Sequence, residues 1–187
     1  MRIISGYFKG KKILNPNDLK TRPLKDLTKE SIFNIIEHSS KFKINLENSE
    51  ILDLFSGTGS FGIECLSRGV RYVTFVENYV GILPILKKNI NSLKSIKNYS
   101  IIEKDILNNF NFKNLKKQFD IIFLDPPYKE KQLKKILFSL IEEKILKLEG
   151  IIIIHRHKRQ TDNLPNTIKI LEEKKYGISK ILFCTYI

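Results

Sequence analysis

Short apolar runs alternate with amphipathic stretches along most of this chain, and the alternation is regular from residue 50 onward. Residues 50–55 read as a strand, and 60–68 read as a helix closed by Gly69. The pair recurs as a strand over 72–77 and a helix over 82–93, with Pro84 in its first turn. A third strand is expected over 99–104, followed by a short polar helix or loop over 106–117. A fourth strand over 119–125 leads to a Lys-rich amphipathic helix over 130–146, and a fifth strand is expected over 150–155. Two last strand-like runs, 167–172 and 178–186, meet around Tyr176-Gly177 with no long helix between them. They are therefore expected to pair antiparallel.

The first part of the chain is different. Residues 1–15 alternate loosely around Gly6 and Gly10, which predicts a hairpin of 2–5 with 11–14. A basic loop punctuated by Pro16 and Pro23 follows. A helix is expected over 27–37, with Thr28 as candidate cap and Ile32, Phe33, Ile35 and Ile36 as its apolar stripe. Residues 42–49 are a connector. The whole pattern predicts an α/β fold: a Rossmann-like, mostly parallel seven-stranded sheet with an antiparallel C-terminal strand. A small hairpin and helix extension over 1–40 would precede the sheet domain over 41–187.

Composition narrows the class. The chain has 187 residues, 42% hydrophobic and 28% charged, which suits one soluble globular domain with a sizeable core. No apolar run is long enough to span a bilayer and MRIISGYFKG has no apolar signal segment, so a cytoplasmic protein without a membrane partner is expected. Cys65 and Cys184 lie in unrelated contexts, which predicts two buried thiols and neither disulfide nor metal site. The formal net charge is +13. Residues 1–30 hold eight basic and three acidic residues, a net +5, so positive charge is densest there. That density points to a polyanionic partner for the N-terminal segment, although a Lys-, Ile- and Asn-rich composition also raises the total.

Asp125-Pro126-Pro127-Tyr128 closes the fourth strand and poses a specific chemical problem. An exocyclic amino group on a nucleobase is a poor nucleophile, because its lone pair is delocalised into the ring. Two acceptors on its N–H protons favour the pyramidal, reactive form, and the Asp125 carboxylate and Pro126 carbonyl are suited to that task. Pro126 and Pro127 fix the backbone that holds the carbonyl. Tyr128 offers a face on which a flipped base can stack. A Pro turn with a capping Asp would read the same way in isolation. The other strand ends decide between the two.

Gly57, Gly59 and Gly62 match GxGxxG, by itself a weak signal for a dinucleotide. Asp53, on the strand ahead of the loop, would repel a pyrophosphate but suits a ligand carrying an ammonium and a sulfonium. Glu77 ends the second strand 20 residues after Gly57, the usual place for a carboxylate that accepts from ribose hydroxyls. Asp105 ends the third, where an acid can accept from an adenine amino group. Four strand-end acids, Asp53, Glu77, Asp105 and Asp125, should converge in the crevice at the sheet's C-terminal edge.

DLFSGTGSFGIECLSRG, VTFVE and FDIIFLDPPY, in that order, resemble the class I S-adenosylmethionine-dependent methyltransferases that carry the amino-methylating (D/N)PPY motif. MRIISGYFKGKKI, then TRP, then KESIFNII, and the terminal YGISKILF are similar to the RsmD family of bacterial 16S rRNA guanine-N2 methyltransferases. The resemblance covers essentially the whole chain. It implies S-adenosyl-L-methionine as cofactor, held by Asp53, Phe55, Gly57, Gly59, Glu77, Asn78, Asp105 and Ile106. It implies catalysis by Asp125, Pro126, Pro127 and Tyr128, and a monomer acting on 16S rRNA of the small ribosomal subunit. Lys9, Lys11, Lys12, Lys20 and Arg22 are the candidate rRNA contacts, chosen on charge. The chain departs from the family at Leu27, where an Arg is common, and after the fifth strand, where His155-Arg156-His157-Lys158 replaces an acid. The same motif also serves DNA-adenine and protein-glutamine methyltransferases. An oxidoreductase using GTGSFG and a non-catalytic rRNA-binding assembly factor are the readings from other classes.

Overall fold

The structure, a computed structural model, describes residues 1–18, 21, 23–108, 110–127 and 132–187. Among these, seven strands form one sheet in the order β3-β2-β1-β4-β5-β7-β6. They are β1 (Glu50–Leu54), β2 (Tyr72–Val76), β3 (Tyr99–Ile102), β4 (Phe119–Leu124), β5 (Leu146–His157), β6 (Ile168–Tyr176) and β7 (Ser179–Tyr186). The first five run parallel; β7 lies antiparallel between β5 and β6. The expected mostly parallel seven-stranded sheet with an antiparallel C-terminal strand is the observed one. Strand order reverses between β1 and β4, so the two motif-bearing strands are neighbours at the switch point.

Alternation across the strands separates two apolar layers. Ile51, Val73, Phe75, Ile121, Phe123, Ile153 and Phe183 face one layer with helices α1 (Asp26–His38), α2 (Ser60–Ser67) and α3 (Leu83–Asn91). Leu52, Leu54, Val76, Ile122, Leu124, Ile154 and Cys184 face the other, with α4 (Leu133–Glu142). Cys65 and Cys184 are both buried free thiols. No helix among the described residues is long and apolar enough to cross a membrane.

Several boundaries differ from expectation, among them β6, which runs over Ile168–Tyr176 rather than 167–172. The helix expected over 130–146 ends at Glu142, and β5 starts at Leu146 rather than Gly150. Lys144 takes a left-handed φ of 50°, its N–H reaches the Ile141 carbonyl, and the Ile145 N–H reaches Leu140, which closes the helix early. Residues 130 and 131 lie outside the described residues. Thr28 is not the cap of α1: that position is Lys25, with no side-chain cap, and Thr28 is buried inside the first turn. The N-terminal hairpin is reduced to a single antiparallel bridge, Arg2 to Lys12.

That N-terminal segment is stitched to α2. The buried Glu64 carboxylate accepts from the Ile4 and Ser5 N–H groups at 2.8 and 2.9 Å. Ser67 receives the Tyr7 N–H on its carbonyl at 2.8 Å and the Phe8 N–H on its hydroxyl at 3.0 Å. Lys29, also fully buried, lies 3.5 Å from Glu64 and donates to the Arg2 carbonyl at 2.7 Å. Ile3, Ile13 and Leu24 join the same apolar layer as Phe33 and Phe61.

Candidate active site

A cleft of about 560 Å³ opens at the C-terminal edge of β1, β2 and β4. Asp53, Phe55, Gly57, Glu77, Asn78, Asp105, Asp125, Pro126 and Pro127 all line it, so the strand-end acids do converge. Gly59 sits behind the wall at the N-cap of α2, and its N–H closes the turn onto the Ser56 carbonyl at 2.8 Å. Ile106 does not line the cleft: its side chain is buried in the layer under α4, and the neighbouring Leu107 takes the wall position. Tyr128 lies outside the described residues, as do Lys20 and Arg22.

The glycine loop after β1 is built from unusual backbone. Phe55, Gly57 and Gly59 have φ values of 59°, 55° and 82°. A left-handed Phe costs on the order of 1 kcal/mol, a cost found mostly where a site demands it. The turn spends its N–H groups internally, that of Ser56 on the Val76 carbonyl at 3.2 Å and that of Gly57 on the Glu77 carboxylate at 2.8 Å.

Each acid is held differently. Asp53 is fully buried; its Oδ2 accepts from the Gly62 N–H at 3.0 Å, and its Oδ1 has no partner among the described residues. Burial pushes its carboxyl well above the ordinary range, the Gly62 N–H opposes this, and the nearby Asp125 and Glu77 charges add to it. Glu77 accepts three backbone N–H bonds, from Gly57 at 2.8 Å and from Asn78 and Tyr79 at 2.9 Å each. It therefore ties the loop after β1 to the turn after β2, a role the sequence does not announce. Asp105 accepts from the Leu107 N–H at 2.8 Å and the Asn108 amide at 2.6 Å.

Asp125 is reached from β5. Its Oδ1 lies 2.8 Å from His155 Nδ1, and His155 Nε2 lies 2.9 Å from the Ser179 hydroxyl. On the other face of β5, Arg156 Nη1 donates to the Pro127 carbonyl at 3.3 Å. Its guanidinium is gripped by Asp162, with Nε at 3.0 Å and Nη2 at 2.9 Å from Oδ1. His155 and Arg156, expected at and beyond the end of the fifth strand, lie inside β5 and brace Asp125 and Pro127 from its two faces. The signal that the sequence offers for them is a pair of basic residues directly after the apolar run 151–154.

Described residues ahead of α1 reach the cleft. Thr21 and Leu24 line it, and the Tyr79 hydroxyl donates to Asp18 at 2.6 Å. Lys9 and Lys12 are exposed. Lys11 is half-buried and donates to the Ser92 carbonyl at the C-terminus of α3. Leu27 is 77% exposed, so its departure from the family does not reach the core.

A model of the family described as conserved hypothetical protein 95 matches residues 1–185. The chain belongs to this family, the RsmD family. The ribosomal RNA small subunit methyltransferase D of Buchnera aphidicola (from Acyrthosiphon pisum) is 36% identical to this RsmD-family chain over 172 residues, covering 92% of the chain and 86% of the relative. A crystal structure described as a methylase from Haemophilus influenzae is 30% identical, covers 98% of the chain and 96% of its own, and superposes with a TM-score of 0.73. A structure described as a methyltransferase from Escherichia coli shares the fold at a TM-score of 0.80 and 23% identity, over 100% of the chain and 97% of its own.

The residues present fit the cofactor of such enzymes. The unpaired Oδ1 of Asp53 is a buried acceptor that a ligand ammonium would satisfy. Glu77 keeps at most one acceptor site for a ribose hydroxyl after its three backbone bonds, since a carboxylate offers about four.

Proposed function

We propose that this protein transfers a methyl group from S-adenosylmethionine to the exocyclic N2 amine of a guanine in 16S rRNA of the small ribosomal subunit, in the cytoplasm. The observation that carries the reading is one cleft. It holds the unpaired buried carboxylate oxygen of Asp53 and the Asp125-Pro126-Pro127 loop, in a chain of the RsmD family. The relative from Buchnera is named for the small-subunit RNA, and the basic N-terminal segment supports a polyanionic substrate.

Asp53, Glu77 and Asp105 hold the cofactor, and the glycine loop lets the backbone approach it. S-adenosylmethionine, when bound, supplies an electrophilic methyl group. Asp125 and the Pro126 carbonyl accept the two N–H protons of the target amine and orient its lone pair toward that methyl. Tyr128 stacks on the flipped base. Catalysis is largely positioning, because the amine becomes acidic once alkylated and loses its proton late. Asp125 then need not be a strong base. Residues 1–40 serve as an rRNA-docking extension.

The test is transfer of tritiated methyl to small subunits from cells lacking the gene, followed by nucleoside analysis. Label is expected in N2-methylguanosine. Asp125→Ala should lose most turnover and keep cofactor affinity, by calorimetry, within a few-fold. Label in adenine or in protein would move the substrate class. Tight RNA binding without label would make the protein a non-catalytic factor.

A further inference from the structure

The geometry points to His155 as a positioning residue for the Asp125 carboxylate, with Ser179 fixing the imidazole; the inference rests on the proposed methyl transfer. Asp53, Asp125, His155 and Ser179 follow the parity of Ile51, Phe123, Ile153 and Ile181, so all four side chains share one face of the sheet. His155 is 7% exposed and Ser179 5%. Both ring nitrogens have partners at hydrogen-bond distance, Asp125 Oδ1 at 2.8 Å and Ser179 Oγ at 2.9 Å.

The chemistry assigns the protons. An ionised carboxylate only accepts, so Nδ1 carries the hydrogen that reaches Oδ1. Nε2 then accepts from the Ser179 hydroxyl in the neutral ring, or donates to it in the charged one. Either way the bond to Asp125 survives. One oxygen of the carboxylate is pinned, its plane is set, and Oδ2 is left for the N–H of a bound amine. Without that bond the carboxylate rotates about its last torsion, and the alignment with the Pro126 carbonyl is lost for part of the time. His155 touches neither the amine nor the methyl. It acts through Asp125.

Steady-state methylation of small subunits, with cofactor affinity by calorimetry and folding by thermal melts, separates the possibilities. His155→Leu should lower kcat by about 10- to 100-fold while KM and cofactor affinity stay within a few-fold. His155→Asn should recover most of the rate, because its amide nitrogen can take the place of Nδ1. In an Asp125→Asn background, His155→Leu should add almost nothing further. Equal rates for the Leu and Asn variants, multiplicative losses in the Asp125→Asn background, or full activity in His155→Leu would each overturn the assignment. Should His155→Leu fail to fold, Ser179→Ala substitutes for it: a smaller loss of kcat at unchanged cofactor affinity is expected, and wild-type kcat would overturn the role. A wild-type protein that transfers no methyl sinks the methyl-transfer reading and this inference with it. Activity that is indifferent to His155 sinks only the inference.

Discussion

Asp53 and Glu77 are carboxyl side chains at neighbouring strand ends, yet the backbone treats them oppositely. Three N–H groups converge on Glu77 and one on Asp53, whose other oxygen is buried and unpaired. Asp53 is therefore held well above the ordinary carboxylate range, chiefly by burial. A folded state that keeps a proton more tightly than the unfolded chain is favoured at low pH, so its stability falls as pH rises. Thermal melts of the cofactor-free protein should show that loss from the ordinary carboxylate range up to the raised value of Asp53, and Asp53→Asn should flatten it. Cofactor affinity should rise over the same window, as the ionised carboxylate gains an ammonium partner. At neutral pH Asp53→Asn should weaken cofactor binding by about 30-fold, the equivalent of roughly 2 kcal/mol for a charge-assisted contact. A pH-independent cofactor affinity in the wild type would rule out the ammonium contact. Which strand-end acids converge was legible from the sequence. How many N–H groups each collects was not, because that depends on turn geometry.

At the scale of elements, two helix ends show what glycine reveals and what it hides. α2 closes with Gly69 at a φ of 82°, its N–H on the Leu66 carbonyl and that of Val70 on Cys65. α4 closes with the same bond pattern around Lys144, where no glycine marks the stop. The first boundary could be read from the sequence; the second could not, and the start of β5 was misplaced with it. The strands were legible as apolar runs because a sheet covered on both faces needs them. His155 was not legible as a partner of Asp125, since their contact depends on β5 lying beside β4, and that with Ser179 on the register of β5 against β7. Docking of the N-terminal segment on α2 turns on Gly6 in the same way. Gly6 has a φ of 81°, and a Cβ there would stand 1.8 Å from the Ser67 carbonyl oxygen. Gly10 has a φ of 84° with open space around it. Gly10→Ala should cost only the backbone term, about 1 kcal/mol. Gly6→Ala should cost distinctly more, because the segment must leave its seat on α2. At about 2–4 °C per kcal/mol, the two melting temperatures should separate clearly. Equal melting temperatures would mean that the stitching to α2 contributes little.

The turn that carries Lys9 and the cleft lie at opposite ends of α2. α2 starts at the glycine loop and ends at Ser67, about 12 Å further on at 1.5 Å per residue. The turn at residues 6–10 is bound at that far end, so Lys9 stands away from the cleft, while the chain returns over it at Thr21 and Leu24. An rRNA that presents a guanine to Asp125 and also meets Lys9 must therefore run along the flank formed by the N-terminal segment. Lys11 is committed to the end of α3, which leaves exposed Lys9 and Lys12 as the candidates to test among the described residues. A lysine that neutralises a phosphate releases about one counterion, so removing it should flatten the log–log salt dependence of binding by roughly one unit. Lys9→Ala with Lys12→Ala should then reduce the slope by about two units, weaken binding alike for all RNA sequences, and leave cofactor affinity unchanged. Lys11→Ala should instead lower thermal stability. A salt slope unmoved by the double substitution would make this charge a solvated, Lys-rich face. The docking surface would then be sought at the exposed Lys158 and Arg159, just beyond the end of β5.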